Sequence, residues 1–170
     1  MTIGGIIMNV SIRPMDSSDW ERVSAIYQQG IATGNATFET TVPTYEEWHS
    51  SHMKECRLVA VMRDEIIGWA AITPVSGRCV YGGVAELSVY IDVNSRNMGV
   101  GCKLLNSIIE ESEKLGFWML QSGIFEENHE SIALHKKCGF RYVGFRERIG
   151  RDENGRWRNT VLMERRSLKI

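Results

Sequence analysis

Apolar and polar residues alternate along some stretches of the chain, and apolar ones recur at helical spacing along others. Val10-Ser11-Ile12-Arg13 alternates and stops at Pro14, which predicts a short first strand. Ser18 followed by Glu21 forms a capping-box pattern. It predicts a helix carrying Trp20, Val23, Ile26, Tyr27 and Ile31 on one face and ended by Gly30 and Gly34. A loop over 35–43 leads to a second capping box, Thr44 with Glu47, and a helix bearing Trp48. Leu58–Met62 and Ile66–Ile72 flank the polar pair Arg63-Asp64 and predict an antiparallel hairpin. Past a loop punctuated by Pro74, Gly77, Gly82 and Gly83, Val84–Ile91 reads as a strand. Ala85, Leu87, Val89 and Ile91 share one of its faces, Glu86, Ser88 and Tyr90 the other. A helix from about Val100 carries Leu104, Leu105, Ile108 and Leu115 and ends at Gly116. Then come a strand over Trp118–Ile124, a short helix over Ser131–Lys137 stopped by Gly139, and two strands, Tyr142–Ile149 and Trp157–Glu164, around Asp152-Glu153-Asn154-Gly155. The pattern predicts one α+β domain over 10–170 with a mostly antiparallel sheet.

Composition narrows the partners. Twenty basic and 21 acidic residues leave a formal charge of -1 with no basic run, which gives a nucleic-acid partner no electrostatic support. No apolar stretch approaches the ~20 residues needed to cross a bilayer, so no membrane partner is expected. The apolar opening, Met1 to Ile7, lacks a basic n-region and a small-residue cleavage site. Met8 offers a second start, and residues 1–9 are set apart as an extension. Cys56, Cys79, Cys102 and Cys138 fit neither a zinc site nor a disulfide framework, so reduced thiols in the cytoplasm are expected. A catalytic cysteine would need an activating base, and the sequence names none. His49, His52 and His129 show no ligand spacing, so no metal is expected.

The most informative segment is Arg96-Asn97-Met98-Gly99-Val100-Gly101-Cys102, between a strand and a helix. Two glycines allow a sharp turn and close approach to a ligand. The free N–H groups opening the helix favour an anion such as a pyrophosphate; a tight turn without a ligand would look the same. A Walker A loop is excluded because Cys102 and Lys103 follow Gly101, and a dinucleotide fold because its third glycine and acidic partner are missing. Glu86 stands mid-strand on the face opposite Ala85 and Leu87. A carboxylate in a partly desolvated cleft can accept a proton as a general base. A strand glutamate in solvent is the commoner case.

Arg-x-x-Gly-x-Gly between a strand and an amphipathic helix resembles the acetyl-CoA signature of the GNAT superfamily of N-acetyltransferases. Leu134-His135-Lys136-Lys137-Cys138-Gly139-Phe140 resembles its closing motif. Ala85–Ile91, and Gly150 through Trp157 to Glu164, are similar to phosphinothricin acetyltransferase and related L-amino-acid N-acetyltransferases. The likeness runs from about Val10 to Arg166. It implies acetyl-CoA as co-substrate, the primary amine of an L-amino acid or analogue such as phosphinothricin or methionine sulfoximine as acceptor, and a homodimer. On it, Val89, Tyr90 and Ile91 present backbone groups to the acetyl and pantetheine arm, while Asn97, Met98, Gly99, Val100, Gly101 and Cys102 hold the pyrophosphate. Asn128, with Ser131 beside it, meets the pantetheine or thioester, unless it is only a helix cap. Glu86 becomes the general base, and His135, or an ordered water, the acid for the departing thiolate; a packed histidine is the alternative. Phe38 and Glu39 form the acceptor wall. Arg78 pairs an acceptor carboxylate or is a solvated loop residue. Gly82 stands where relatives commonly carry a basic or aromatic residue, which puts the two named acceptors in question. The rival functions are acetylation of protein N-termini or polyamines, and a non-catalytic CoA-binding sensor.

Overall fold

The computed structural model describes residues 2–3, 6–7 and 9–170; the proposed extension, 1–9, falls in part outside that description. Seven strands form one sheet: β1 (Ser11–Pro14), β2 (Arg57–Met62), β3 (Glu65–Pro74), β4 (Val84–Ile91), β5 (Met119–Phe125), β6 (Arg141–Arg151) and β7 (Trp157–Arg166). Their order is β1-β2-β3-β4-β5-β7-β6. All neighbours are antiparallel except β4 and β5. The helices are α1 (Trp20–Ala32), α2 (Tyr45–Ser51), α3 (Val100–Lys114) and α4 (His129–Lys137).

Strand alternation divides the interior into two cores. Leu58, Ala60, Ile72, Ala85 and Leu87 pack with Leu104, Leu105 and Ile108 of α3. Val59, Trp69 and Ala71 point the other way, onto Val23, Ile26 and Tyr27 of α1 and Trp48 of α2. The sheet is thus covered on both faces, and each core buries apolar side chains at about 1.5–3 kcal/mol apiece. At the edge, β6 has no outer neighbour in the sheet and leaves Tyr142, Phe145 and Ile149 about half exposed.

Several local expectations are corrected. The first capping box is Asp16 with Asp19, not Ser18 with Glu21, and it caps a 3₁₀ turn ahead of α1. Asp19 is drawn there by Arg13 of β1, whose guanidinium donates to both its oxygens at 2.7 and 2.8 Å. Gly30 does not stop α1 but lies inside it, where a Cβ would fall 2.5 Å from the ring of Tyr90. Leu115 is exposed rather than core, because the chain leaves α3 there through Gly116 at φ +88°.

Candidate active site

A cleft opens where β4 and β5 part. They pair only from Val84↔Met119 to Glu86↔Gln121 and then diverge; the Ser122 hydroxyl donates to the Leu87 carbonyl (3.4 Å) at the apex. Backbone direction along β4 follows strand parity. The Asp92 N–H donates to Ile67 O, and Val84 O accepts from the Val75 N–H, so the even residues face β3. Leu87, Val89 and Ile91 therefore aim their N–H and C=O groups at the cleft. Tyr90, of even parity, does not present its backbone there, a correction to the sequence expectation. It contributes its ring, stacked on Trp69 (4.9 Å) and tilted against Tyr27 (4.8 Å); burial pushes its phenol pKa up.

The glycine loop lies beyond the C-terminal end of β4. Asp92 fixes its start: although burial works against the charge, hydrogen bonds from Gln29, the Asn94 amide and Arg22 hold the carboxyl below its usual range. Asn97 (φ 60°) and Gly99 (φ 80°) adopt the left-handed conformation. Gly99 is the N-cap of α3 and supplies no side-chain cap, and the first helical bond comes from Lys103 N–H to Gly99 O. The N–H groups of Val100, Gly101 and Cys102 thus open the helix with no side chain capping them, and a diphosphate fits such a terminus. A Cβ on Gly101 would meet Leu134 Cδ2 at 2.9 Å. Cys102 and Cys138 bring their sulfurs to 3.2 Å; both are free thiols.

The cleft encloses about 350 Å³ and brings together Phe38, Glu39, Glu86, Val89, Tyr90, Asn128, Ser131 and His135. Glu86 is half-buried; its Oε2 accepts from Gln121 Nε2 (3.0 Å) and its Oε1 from the Gly123 N–H (3.4 Å). Among the described residues no cation pairs with it. The carboxylate is oriented by neutral donors.

His135 is 2% exposed, and burial lowers its pKa. Its Nδ1 lies 2.8 Å from the Ser131 carbonyl, which assigns the proton to Nδ1. Nε2 then carries a lone pair, and it has neither a partner nor accessible surface. A neutral imidazole in that tautomer has no proton to offer the cleft, so the sequence-based acid is not supported at His135.

Asn128 is a cap: its Oδ1 accepts from the Ser131 N–H (3.2 Å), while its Nδ2 donates to Asn35 O (3.1 Å). Phe38 meets Phe125 edge-on at 4.7 Å. Arg78 is not in the cleft. It lies on the exposed β3–β4 connection with its guanidinium over Tyr81 (5.8 Å), because that connection turns outward as a short 3₁₀ helix, Cys79–Tyr81. Sequence reasoning missed Gln121, Ser122, Thr160 and Arg158. Arg158 and Thr160 share the inward parity of β7, the signal that could have found them. Among the described residues no His, Cys, Asp and Glu group is arranged to hold a metal, and no helix is long and apolar enough to cross a membrane.

Three comparisons bear on what this geometry serves. The phosphinothricin N-acetyltransferase of Alcaligenes faecalis is 32% identical over 161 residues, 91% of this chain and 81% of that protein. The L-methionine sulfoximine/L-methionine sulfone acetyltransferase of Pseudomonas paraeruginosa is 27% identical over 166 residues, 92% of this chain and 94% of its own length. The crystal structure of a GNAT superfamily phosphinothricin acetyltransferase from Sinorhizobium meliloti, in complex with AcCoA, superposes with a TM-score of 0.83 at 28% identity, covering 94% of this chain and 89% of that one. Residues 20–140 span the parted strands, the glycine loop and α4, and they match the Acetyltransferase (GNAT) family as a unit; the chain belongs to that family and is an N-acetyltransferase.

Proposed function

We propose that this chain transfers the acetyl group of acetyl-CoA directly to the primary amine of a small molecule, with Glu86 as the proton acceptor. The observation that carries the reading is the Glu86 carboxylate, held by Gln121 and Gly123 at the point where β4 leaves β5. The N–H groups of Val100, Gly101 and Cys102 hold the diphosphate, and the cleft-facing edge of Leu87, Val89 and Ile91 receives the pantetheine arm. Asn97 and Gly99 shape the loop. The acceptor enters ammonium first, drawn by Glu39 and Glu86. Glu86 takes one proton, and the free amine attacks the thioester carbonyl, whose oxygen the Val89 N–H polarises. The amine's second proton reaches the departing thiolate through water, since His135 holds its own proton on Nδ1. The likeness to acetyltransferases named for phosphinothricin and methionine sulfoximine favours an L-amino acid or analogue.

The enzyme works in the cytoplasm as a homodimer. Free thiols at Cys102 and Cys138 support the first statement. The exposed Tyr142, Phe145, Ile149 and Trp157 of the β6–β7 edge support the second. The test is thiol release from acetyl-CoA against amino acids, sulfoximines, polyamines and N-terminal peptides. Turnover confined to peptides or polyamines would displace the amino-acid reading, and acetyl-CoA binding without turnover on any amine would leave a sensor.

A further inference from the structure

We propose that Arg158 is a positioning residue for the acceptor: its guanidinium holds the loop that follows α1 in the shape that forms one wall of the cleft. The inference rests on the reading that this cleft takes the amine.

Arg158 is the second residue of β7 and is 3% exposed. A buried arginine has to find acceptors for its fork of donors, and the partners it finds show what it does. Nη1 donates to the Gly34 carbonyl (2.7 Å), and Nη2 to Asn35 Oδ1 (2.9 Å) and Glu127 Oε2 (3.3 Å). Asp152 stands 3.9 Å from Nη1, and the guanidinium lies 4.0 Å from the centre of the Phe125 ring. The two shortest bonds therefore go to consecutive residues of a loop more than a hundred positions away in the chain.

That loop is the acceptor wall. Gly34 turns the chain out of α1 at φ +61°, and Ala36, Thr37, Phe38 and Glu39 then line the cleft. Further side-chain tethers come from Asn128 Nδ2 on Asn35 O and from the Tyr27 and Tyr90 phenols, which hydrogen-bond Thr37. Beyond these bonds the wall is held by Phe38, wedged edge-on against Phe125 and over Gly150, where a Cβ would come within 2.8 Å of the ring. Phe125 is shared: Arg158 covers it and Phe38 abuts it, so one guanidinium fixes both the backbone entering the wall and the ring that wedges it. The α3 terminus that would hold the diphosphate shares none of these contacts. Loss of Arg158 should therefore weaken the acceptor and spare the cofactor.

The experiment compares Arg158→Met, Arg158→Lys and Asn35→Ala with the parent. It reads acceptor KM, acetyl-CoA KM, kcat and amide hydrogen exchange over residues 34–39. Arg158→Met should raise acceptor KM about ten- to a hundredfold, the range for one or two charge-assisted hydrogen bonds, and leave acetyl-CoA KM within about twofold. Exchange over 34–39 should speed up while α3 keeps its protection. Arg158→Lys, with one ammonium in place of a fork, should recover part of the loss. Asn35→Ala removes one acceptor and leaves the buried arginine in place, so it stays informative if Arg158→Met does not fold; it should raise acceptor KM at least threefold. The proposal is overturned if folded variants shift both KM values together, or if exchange over 34–39 matches the parent. The exchange measurement needs no turnover, so it tests the tether even if the chain proved to acetylate no small amine.

Discussion

Replacing Glu86 with glutamine removes one charge and almost no volume, and the surroundings of this side chain say how well the site will absorb the change. Oε2 now accepts from Gln121 and Oε1 from the Gly123 N–H. A glutamine can keep its oxygen on Gly123, and its amide then faces Gln121, which can turn its own side chain to offer an oxygen instead of a nitrogen. Both contacts survive, so the fold and the cofactor site should be unaffected. What is lost is the proton acceptor. One general acid–base group contributes roughly 10²–10⁴-fold, so kcat/KM should fall by that factor, or about 2.7–5.4 kcal/mol of transition-state stabilisation. The defect should shrink as pH rises toward the acceptor's own pKa, because free amine is then supplied by solvent. The assay is initial-rate thiol release from acetyl-CoA at a series of pH values, with calorimetric titration of CoA as the control. A variant within threefold of the parent at neutral pH, binding CoA normally, would refute the assignment and leave proton removal to water.

Other outcomes follow from the same geometry. Acetyl-CoA should raise the parent's melting temperature through binding to the folded state, and Gly101→Asp should abolish that shift. The new side chain meets Leu134 and sets a negative charge at the open end of α3; Gly101→Ala separates crowding from charge. Arg78→Ala should leave the ratio of kcat/KM for an amino acid over its amide unchanged, because Arg78 stacks on Tyr81 outside the cleft; a collapse of that ratio would show that the loop closes over the acceptor. Hydrogen bonds from Lys169, Arg165 and Ser167 hold the Glu113 carboxyl at about 2, against an ordinary 4.5. A depressed carboxyl stabilises the fold fully above 4.5 and loses that contribution as pH falls toward 2. Urea midpoints between pH 6 and 2 should therefore decline less steeply in Glu113→Gln than in the parent.

How much of this was legible beforehand depended on whether the deciding contact was local. The elements and a mostly antiparallel sheet could be anticipated because period-two and period-3.6 patterns record which side of each element is buried; the strand order, set by long-range pairing, could not. The first capping box was misplaced by two residues because Ser18–Glu21 and Asp16–Asp19 both have the right spacing. The choice is made by Arg13, on a strand that no local pattern ties to the helix. Gly30 read as a helix stop because the reason for its missing side chain, the ring of Tyr90, is sixty residues away. Arg78 was attractive by nearness in sequence to Glu86, but an outward-turning loop cancels that nearness. For His135 the sequence supplied the residue and its helix; the tautomer depends on a carbonyl four residues back, and burial decides the charge.

The parity of β4 links these pieces; its side-chain half was readable in the sequence, and its backbone half, which turns Tyr90 toward β3, follows from the strand pairing. Side chains and backbone groups both reverse from one residue to the next, so a strand at the edge of a parting pair offers two different surfaces. The odd residues, Leu87, Val89 and Ile91, pack their side chains on the α3 core, which leaves their N–H and C=O groups for the gap toward β5. The even residues, Glu86, Ser88 and Tyr90, spend their backbone on β3 and send their side chains to the α1 face, where the acceptor loop runs. On the proposed reading, one strand therefore carries hydrogen bonds for an acyl donor and a carboxylate for an amine on separate faces a residue apart. A one-residue slip of register would exchange the two surfaces and destroy both. The β3–β4 ladder from Gly68↔Ile91 to Pro74↔Ala85, extended by the bonds from Asp92 to Ile67 and from Val75 to Val84, holds this register and with it the arrangement that the proposed chemistry needs.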